Sequence, residues 1–271
     1  MEDNYKIALC QKESLVGKEE NYARAEKMVA EAAGCGAKIV ALPEMWNCPY
    51  DHSYFREYAE EENGPSAEFM SGLAAKHHLL LVGGSIPELD GGKVYNTSLI
   101  FGGDGSLIGK YRKIHLFDIN IKGGVSFRES DTLSPGDDIC LIDTGFGKIG
   151  IAICYDLRFP GLFRKMALEG AELILAPANF SVPTGAAHWE LLIRSRALDN
   201  QLYVAACSAA RNPESKFNAY GHSCISTPWG EFCGKAATME TIVYGDIGRS
   251  YIRRVREDIP IGGQGRPDVY G

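Results

Sequence analysis

Three stretches of this chain recur in the same order, and that ordered echo constrains the fold more than any other feature. Lys6-Ile7-Ala8-Leu9-Cys10 returns as Gly150-Ile151-Ala152-Ile153-Cys154. Gly36-Ala37-Lys38-Ile39-Val40-Ala41-Leu42-Pro43 returns as Gly170-Ala171-Glu172-Leu173-Ile174-Leu175-Ala176-Pro177. The stretch 98–110 aligns without gaps to 223–235. Around these echoes, short apolar strand patterns alternate with longer amphipathic ones. The first half reads as a strand over 5–10, a helix over 18–33, a strand over 37–42, a helix over 64–77 and a strand over 79–86. Turns at Asp90-Gly91-Gly92 and Asp104-Gly105 then predict hairpins around a strand over 96–102. The second half repeats the order, with strands over 148–154, 172–176, 203–208 and 223–227 and helices over 162–169 and 187–200.

A strand–helix–strand half favours parallel pairing and on its own leaves one sheet face bare. Two such halves packed face to face bury both, giving an α/β fold, a four-layer α/β/β/α sandwich with an internal pseudo-twofold repeat. No Pro-, Gly- or Ser-rich linker divides the 271 residues, so we expect a single domain over 1–271 with a tail from about 259 to 271. The connector over 114–135 has little apolar periodicity and is long for a link, which marks it as functional.

Charge and cysteine usage narrow the function. A net charge of −7 argues against a nucleic-acid partner. The longest apolar runs fall far short of the ~18 residues of a membrane span. The acidic start Met1-Glu2-Asp3-Asn4 does not read as a secretion signal. The expectation is a cytoplasmic, soluble protein. None of the eight cysteines forms a Cys-x-x-Cys pair, so free thiols are expected rather than bridges. The six histidines are scattered, at 52, 77, 78, 115, 188 and 222, and no metal site is expected.

Three positions at strand ends could carry chemistry, because functional groups gather beyond the carboxyl ends of strands in open α/β sheets. Cys154 ends an apolar strand and leads into Tyr155-Asp156-Leu157-Arg158-Phe159-Pro160, a strand-to-helix elbow. The alternative is a buried structural thiol. Glu44 follows Pro43 where the repeat has Ala178, so the fold does not demand an acid there; the alternative is a solvated loop glutamate. In Lys110-Tyr111-Arg112-Lys113-Ile114-His115 an extended backbone puts Tyr111, Lys113 and His115 on one face. The alternative is a basic edge strand that discourages pairing.

Together the three would make a mechanism. A free thiol with pKa about 8.5 and a carboxylate with pKa about 4.3 differ by roughly 5–6 kcal/mol in proton affinity. Burial raises the acid and a nearby ammonium lowers the thiol, so a dry Glu–Lys–Cys cluster closes the gap from both sides.

The segments Leu42-Pro43-Glu44, Tyr111-Arg112-Lys113-Ile114-His115-Leu116-Phe117-Asp118 and Gly150-Ile151-Ala152-Ile153-Cys154-Tyr155-Asp156-Leu157-Arg158-Phe159 resemble the signatures of the nitrilase-superfamily carbon–nitrogen hydrolases. The resemblance implies the α/β/β/α sandwich, Glu44 as base, Lys113 as oxyanion-stabilising cation and Cys154 as nucleophile. Phe127-Arg128-Glu129-Ser130 is similar to the segment bearing the superfamily's additional glutamate, which implies that Glu129 positions Lys113 and substrate. The stretches 129–137, 184–192 and 194–201 resemble the omega-amidase branch, which hydrolyses the terminal amide of α-keto acid amides such as 2-oxoglutaramate. Arg158-Phe159-Pro160-Gly161 is closer to the branch acting on deaminated glutathione. The resemblance further implies no metal or organic cofactor and a homo-oligomer, a dimer or higher. Competing readings are an N-carbamoyl-type amidase and a non-catalytic binding protein on the same fold.

For substrate binding, the Tyr155 backbone N–H is the candidate second oxyanion donor. Arg158 is the first candidate for a substrate carboxylate and Tyr50 a weaker one. The alternative for Arg158 is an ion pair with Asp156 or Glu129. His188-Trp189 reads as packing or capping, and 252–256 as a solvated basic helix face.

Overall fold

The computed structural model describes residues 2–120, 122 and 126–270. The first unit runs β1 (Asn4–Gln11), α1 (Lys18–Gly34), β2 (Ile39–Ala41), α2 (His52–Phe55), α3 (Pro65–His77), β3 (Leu80–Val82), β4 (Ile86–Asp90), β5 (Lys93–Phe101) and β6 (Leu107–Arg112). A ribbon of β7 (Asp118–Asn120) and β8 (Ser126–Arg128) follows. The second unit runs β9 (Cys140–Thr144), β10 (Gly147–Ile151), α4 (Pro160–Leu168), β11 (Leu173–Ala178), α5 (Val182–Asn200), β12 (Tyr203–Ser208), β13 (Cys224–Ser226) and β14 (Phe232–Lys235). The chain closes with β15 (Thr241–Gly248), α6 (Arg249–Asp258), α7 (Ile261–Gln264) and α8 (Pro267–Tyr270).

The echo in the sequence is an echo in pairing. In one sheet β1, β2 and β3 run parallel, then β5 and β6 add antiparallel. In the other, β10, β11 and β12 run parallel, then β13 and β14 add antiparallel. Even the outer additions correspond, β15 lying antiparallel on β1 as β9 does on β10. Alternation along β1 shows the layers. Ile7 and Leu9 join Ile149, Ile151, Leu173 and Ala205 of the second sheet in one apolar cluster. Ala8 and Cys10 face the other way, against Ala25, Val29 and Ala32 of α1. The four layers expected from the repeat are the layers observed.

Several local readings differ. The strand expected over 79–86 is two strands, because Gly83-Gly84-Ser85 breaks it. Gly84 takes φ +56°, and a Cβ there would lie 2.1 Å from the Pro43 carbonyl oxygen. The strand expected over 148–154 ends at Ile151, and Cys154 instead opens a short 3-10 helix, Cys154–Arg158. The helix expected from 187 begins at Val182, with Pro183 in its first turn, a position that needs no N–H. The basic run over 252–256 is only partly solvated: Ile252 and Val255 are buried, and Arg256 donates to the Gln201 and Ala171 carbonyls. Part of the connector over 114–135, positions 121 and 123–125, lies outside the described residues, as do Met1 and Gly271. Among the described residues no helix is long and apolar enough to cross a membrane.

Candidate active site

Glu44, Lys113 and Cys154 come from three separate strand ends. Glu44 lies beyond β2, in a turn that Gly84-Ser85 cradles. Ser85 Oγ accepts the Met45 N–H (3.1 Å), and the Ser85 carbonyl accepts that of Trp46 (3.2 Å). Met45 sits in the left-handed region at φ +50°, which turns the chain sharply just after the acid.

Lys12, at the end of β1, holds the same turn from beneath. Its buried Nζ donates to the Trp46 carbonyl (3.0 Å), to Asn21 Oδ1 (3.2 Å) and to the Glu13 carbonyl (2.6 Å). Among the described residues no carboxylate pairs with it, and burial pushes its pKa from 10.5 down to about 7. Between those values the unfolded chain binds more protons than the folded one, so this lysine's contribution to stability improves as pH rises. Relative to Lys12→Met, the wild type is expected to gain about 1–2 kcal/mol of unfolding free energy between pH 6.5 and 8.5 in denaturant titrations. An unchanged difference at the two pH values would contradict the depressed titration.

Lys113 stands one residue past β6, tied in by its own N–H to the Asn96 carbonyl (2.8 Å). The expected alternation holds: Tyr111 and Lys113 are buried, whereas Lys110 and Arg112 point to the opposite side and pair with Glu88. β6 is also an edge strand, as the alternative reading of this segment has it. Cys154 takes φ +49°, a strained conformation for a non-glycine residue at the expected strand-to-helix elbow.

The ammonium of Lys113 organises the acids. It donates to Glu44 Oε1 (2.8 Å) and to Glu129 Oε1 and Oε2 (3.0 and 2.9 Å). Glu129 also accepts from Tyr50 Oη (2.6 Å) and the Phe117 N–H (2.7 Å). Asn96 Nδ2 fills the remaining place on Glu44 Oε1 (2.8 Å). Glu44, Lys113 and Glu129 are wholly buried and Cys154 is 3% exposed, so these charges act at low dielectric. Among the described residues Glu44 Oε2 has no hydrogen-bond partner, and the Cys154 thiol acts on that carboxyl.

One cation therefore serves two acids, and Glu129 takes two of its three hydrogen bonds. Burial raises Glu44 above the usual carboxylate range, the Glu129 charge adds to it, and Lys113 opposes both. Burial likewise raises the Cys154 thiol well above 9.0, with Lys113 and the Asn179 backbone working against it. The Lys113 ammonium stays charged because Glu129 and Glu44 outweigh its desolvation. An acid raised by burial beside a thiol and an ammonium can exchange a proton with that thiol.

The remaining expected residues divide. Tyr50 is buried against Phe217 and Phe127 and reaches the cluster through Glu129. Tyr155 lies in the first turn of the 3-10 helix, where N–H groups lack intrahelical acceptors. Arg158 makes neither ion pair considered for it. Its guanidinium lies over the Tyr155 and Phe180 rings (5.6 and 5.2 Å), and among the described residues its one side-chain hydrogen-bond partner is His188 Nδ1 (3.3 Å). Among the described residues it has no carboxylate. His188 thus touches Arg158 rather than capping the helix, while Trp189 packs as expected. Sequence reasoning passed over Asn96, although Asn96-Thr97-Ser98, three polar residues in a buried strand, was a visible signal. Among the described residues no cluster of three His, Cys, Asp or Glu is placed to hold a metal.

Comparison with known proteins places the chain in a family. The carbon–nitrogen hydrolase family profile matches residues 6–257. The chain is 51% identical to the omega-amidase NIT2 of Xenopus tropicalis, over 93% of this chain and 92% of that one. It is 48% identical to the omega-amidase NIT2 of Homo sapiens, over 98% and 97%. The crystal structure of Saccharomyces cerevisiae Nit3, a nitrilase-superfamily member, superposes with a TM-score of 0.89 at 43% identity, covering 96% of each chain.

Proposed function

This chain belongs to the carbon–nitrogen hydrolase family, and we propose that it hydrolyses the terminal amide of α-keto acid amides at the Glu44–Lys113–Cys154 cluster. The observation that carries the reading is the Glu44 carboxyl itself. One of its oxygens is held by Lys113 and Asn96, the other is buried without a hydrogen-bond partner among the described residues, and the Cys154 thiol acts on the carboxyl.

Glu44 takes the Cys154 proton as the sulfur attacks the amide carbon. The C=O electron pair moves onto oxygen, which the Lys113 ammonium and the Tyr155 N–H receive. Collapse breaks the C–N bond, and Glu44 gives its proton to the departing amine, which leaves as ammonia. Water then attacks the thioester with Glu44 again as base, releasing the dicarboxylate and the free thiol. Glu129 fixes the ammonium through two of its three hydrogen bonds, with Tyr50 and the Phe117 N–H completing the bonds to Glu129.

Arg158 supplies the affinity for a substrate carboxylate. It stands four residues after the proposed nucleophile, half-buried between aromatic rings and, among the described residues, without a protein counter-ion. Lost charge-assisted hydrogen bonds of about 1.5–3 kcal/mol correspond to about a 10–100-fold rise in KM for Arg158→Met with 2-oxoglutaramate. An uncharged amide should be hardly affected, and equal effects on both would leave Arg158 a structural residue. The substrate class is tested by ammonia release from 2-oxoglutaramate, 2-oxosuccinamate, deaminated glutathione, N-carbamoyl amino acids and simple nitriles. Preference for the first two is expected, and a clear preference for deaminated glutathione or carbamoyl compounds would overturn the assignment.

A further inference from the structure

We propose that Asp156 is a positioning residue for this reaction, a single carboxylate that holds the nucleophile elbow and the Lys113 segment in register. The proposal rests on the amidase reading for its kinetic consequence, but its geometry stands apart from any substrate.

Asp156 is wholly buried two residues after Cys154, and four donors converge on it. Its Oδ2 accepts from Tyr111 Oη (2.7 Å) and the Ile153 N–H (2.8 Å). Its Oδ1 accepts from His115 Nδ1 (2.7 Å) and the His115 N–H (3.1 Å). Tyr111 and His115 are the residues two before and two after Lys113, and Ile153 immediately precedes Cys154. Among the described residues, no other side-chain hydrogen bond joins the 110–118 segment to the elbow. The Tyr111 hydroxyl stays a donor, because burial and the Asp156 charge hold it well above its usual range.

Both segments need such a clamp. Lys113 lies past the end of β6, outside the regular ladder, and its ammonium must stay within hydrogen-bond reach of two acids. Cys154 holds a left-handed backbone, and strain of this kind persists only where the surroundings over-determine it. The carboxylate on the Ile153 N–H, with the Asp156 N–H returned to the Ile153 carbonyl (3.0 Å), closes the elbow around the strained residue. A misplacement of about 1 Å between reacting groups costs on the order of 100-fold in rate.

Asp156→Asn keeps the size but turns an N–H₂ toward donors the carboxylate accepted. It is expected to lower kcat for 2-oxoglutaramate about 100-fold with KM within about threefold. It is also expected to slow iodoacetamide alkylation of Cys154, followed by peptide mass, about tenfold. Tyr111→Phe removes one donor without new contacts and should lower kcat about five- to tenfold in the wild-type background and hardly further in Asp156→Asn, as groups acting through one another do. If Asp156→Asn does not fold, Tyr111→Phe carries the test alone through the same two readouts. An unchanged kcat and alkylation rate, or a loss confined to KM, would overturn the proposal. If the wild type released no ammonia from any amide, the functional reading would fail, and the alkylation rate would decide the clamp: slowed in the variants it supports it, unchanged it overturns it.

Discussion

Cys154→Ala is expected to release no measurable ammonia from the proposed substrate 2-oxoglutaramate, a loss on the order of 10⁴-fold or more, as removal of a nucleophile gives elsewhere. The fold should survive. The change removes one small, buried, polarizable atom from a residue whose backbone the neighbouring hydrogen bonds hold in place. A cost of about 1–2 kcal/mol is expected, well inside the stability of an ordinary domain. Wild-type turnover by this variant would refute attack by sulfur.

Lys113→Met has a different signature, because it should damage stability as well as rate. Its ammonium is the cation between two wholly buried carboxyls, each within 3.0 Å. Breaking a buried ion pair by removing one partner costs about 3–5 kcal/mol, mostly for the charge left behind. Stranded carboxyls escape that cost by taking up a proton, so the stability deficit should be largest near pH 8 and shrink toward pH 5. Loss of the cation proposed to receive the oxyanion should lower kcat by on the order of 10³-fold. Denaturant titrations at the two pH values, alongside initial rates, check both halves. A deficit independent of pH would mean that Lys113 does not neutralise the acids.

The architecture was legible because it is periodic. Ile7 and Leu9 against Ala8 and Cys10 announce a strand buried on both faces, and the second copy of that pattern at 150–154 announces the pairing of halves. Glu44 and Cys154 stood out as chemically active residues at the ends of apolar strands, Glu44 where the repeat has Ala178, whereas Lys113 was one of several residues the 110–115 segment offered and only the family resemblance selected it. What escaped was whatever depends on contacts distant along the chain. Asn96 and Asp156 are polar residues whose role lies in partners 52 and 45 residues away. The ion pairs considered for Arg158 failed because Asp156 and Glu129 were already occupied by hydroxyl, imidazole, ammonium and backbone donors, a competition no local pattern records. Strand ends were read too long at 86 and 154 because β3 and β10 end two or three residues before the chain turns at positive φ, at Gly84 in the first case and at Cys154 in the second.

The most direct measurement is the mass of the enzyme quenched in acid during turnover of 2-oxoglutaramate, followed by digestion and peptide sequencing. The wild type should carry one acyl group as a thioester on the peptide holding Cys154, labile to hydroxylamine, and Cys154→Ala should carry none. Turnover with an acyl group on any other residue, or a modified Cys154→Ala, would contradict the account.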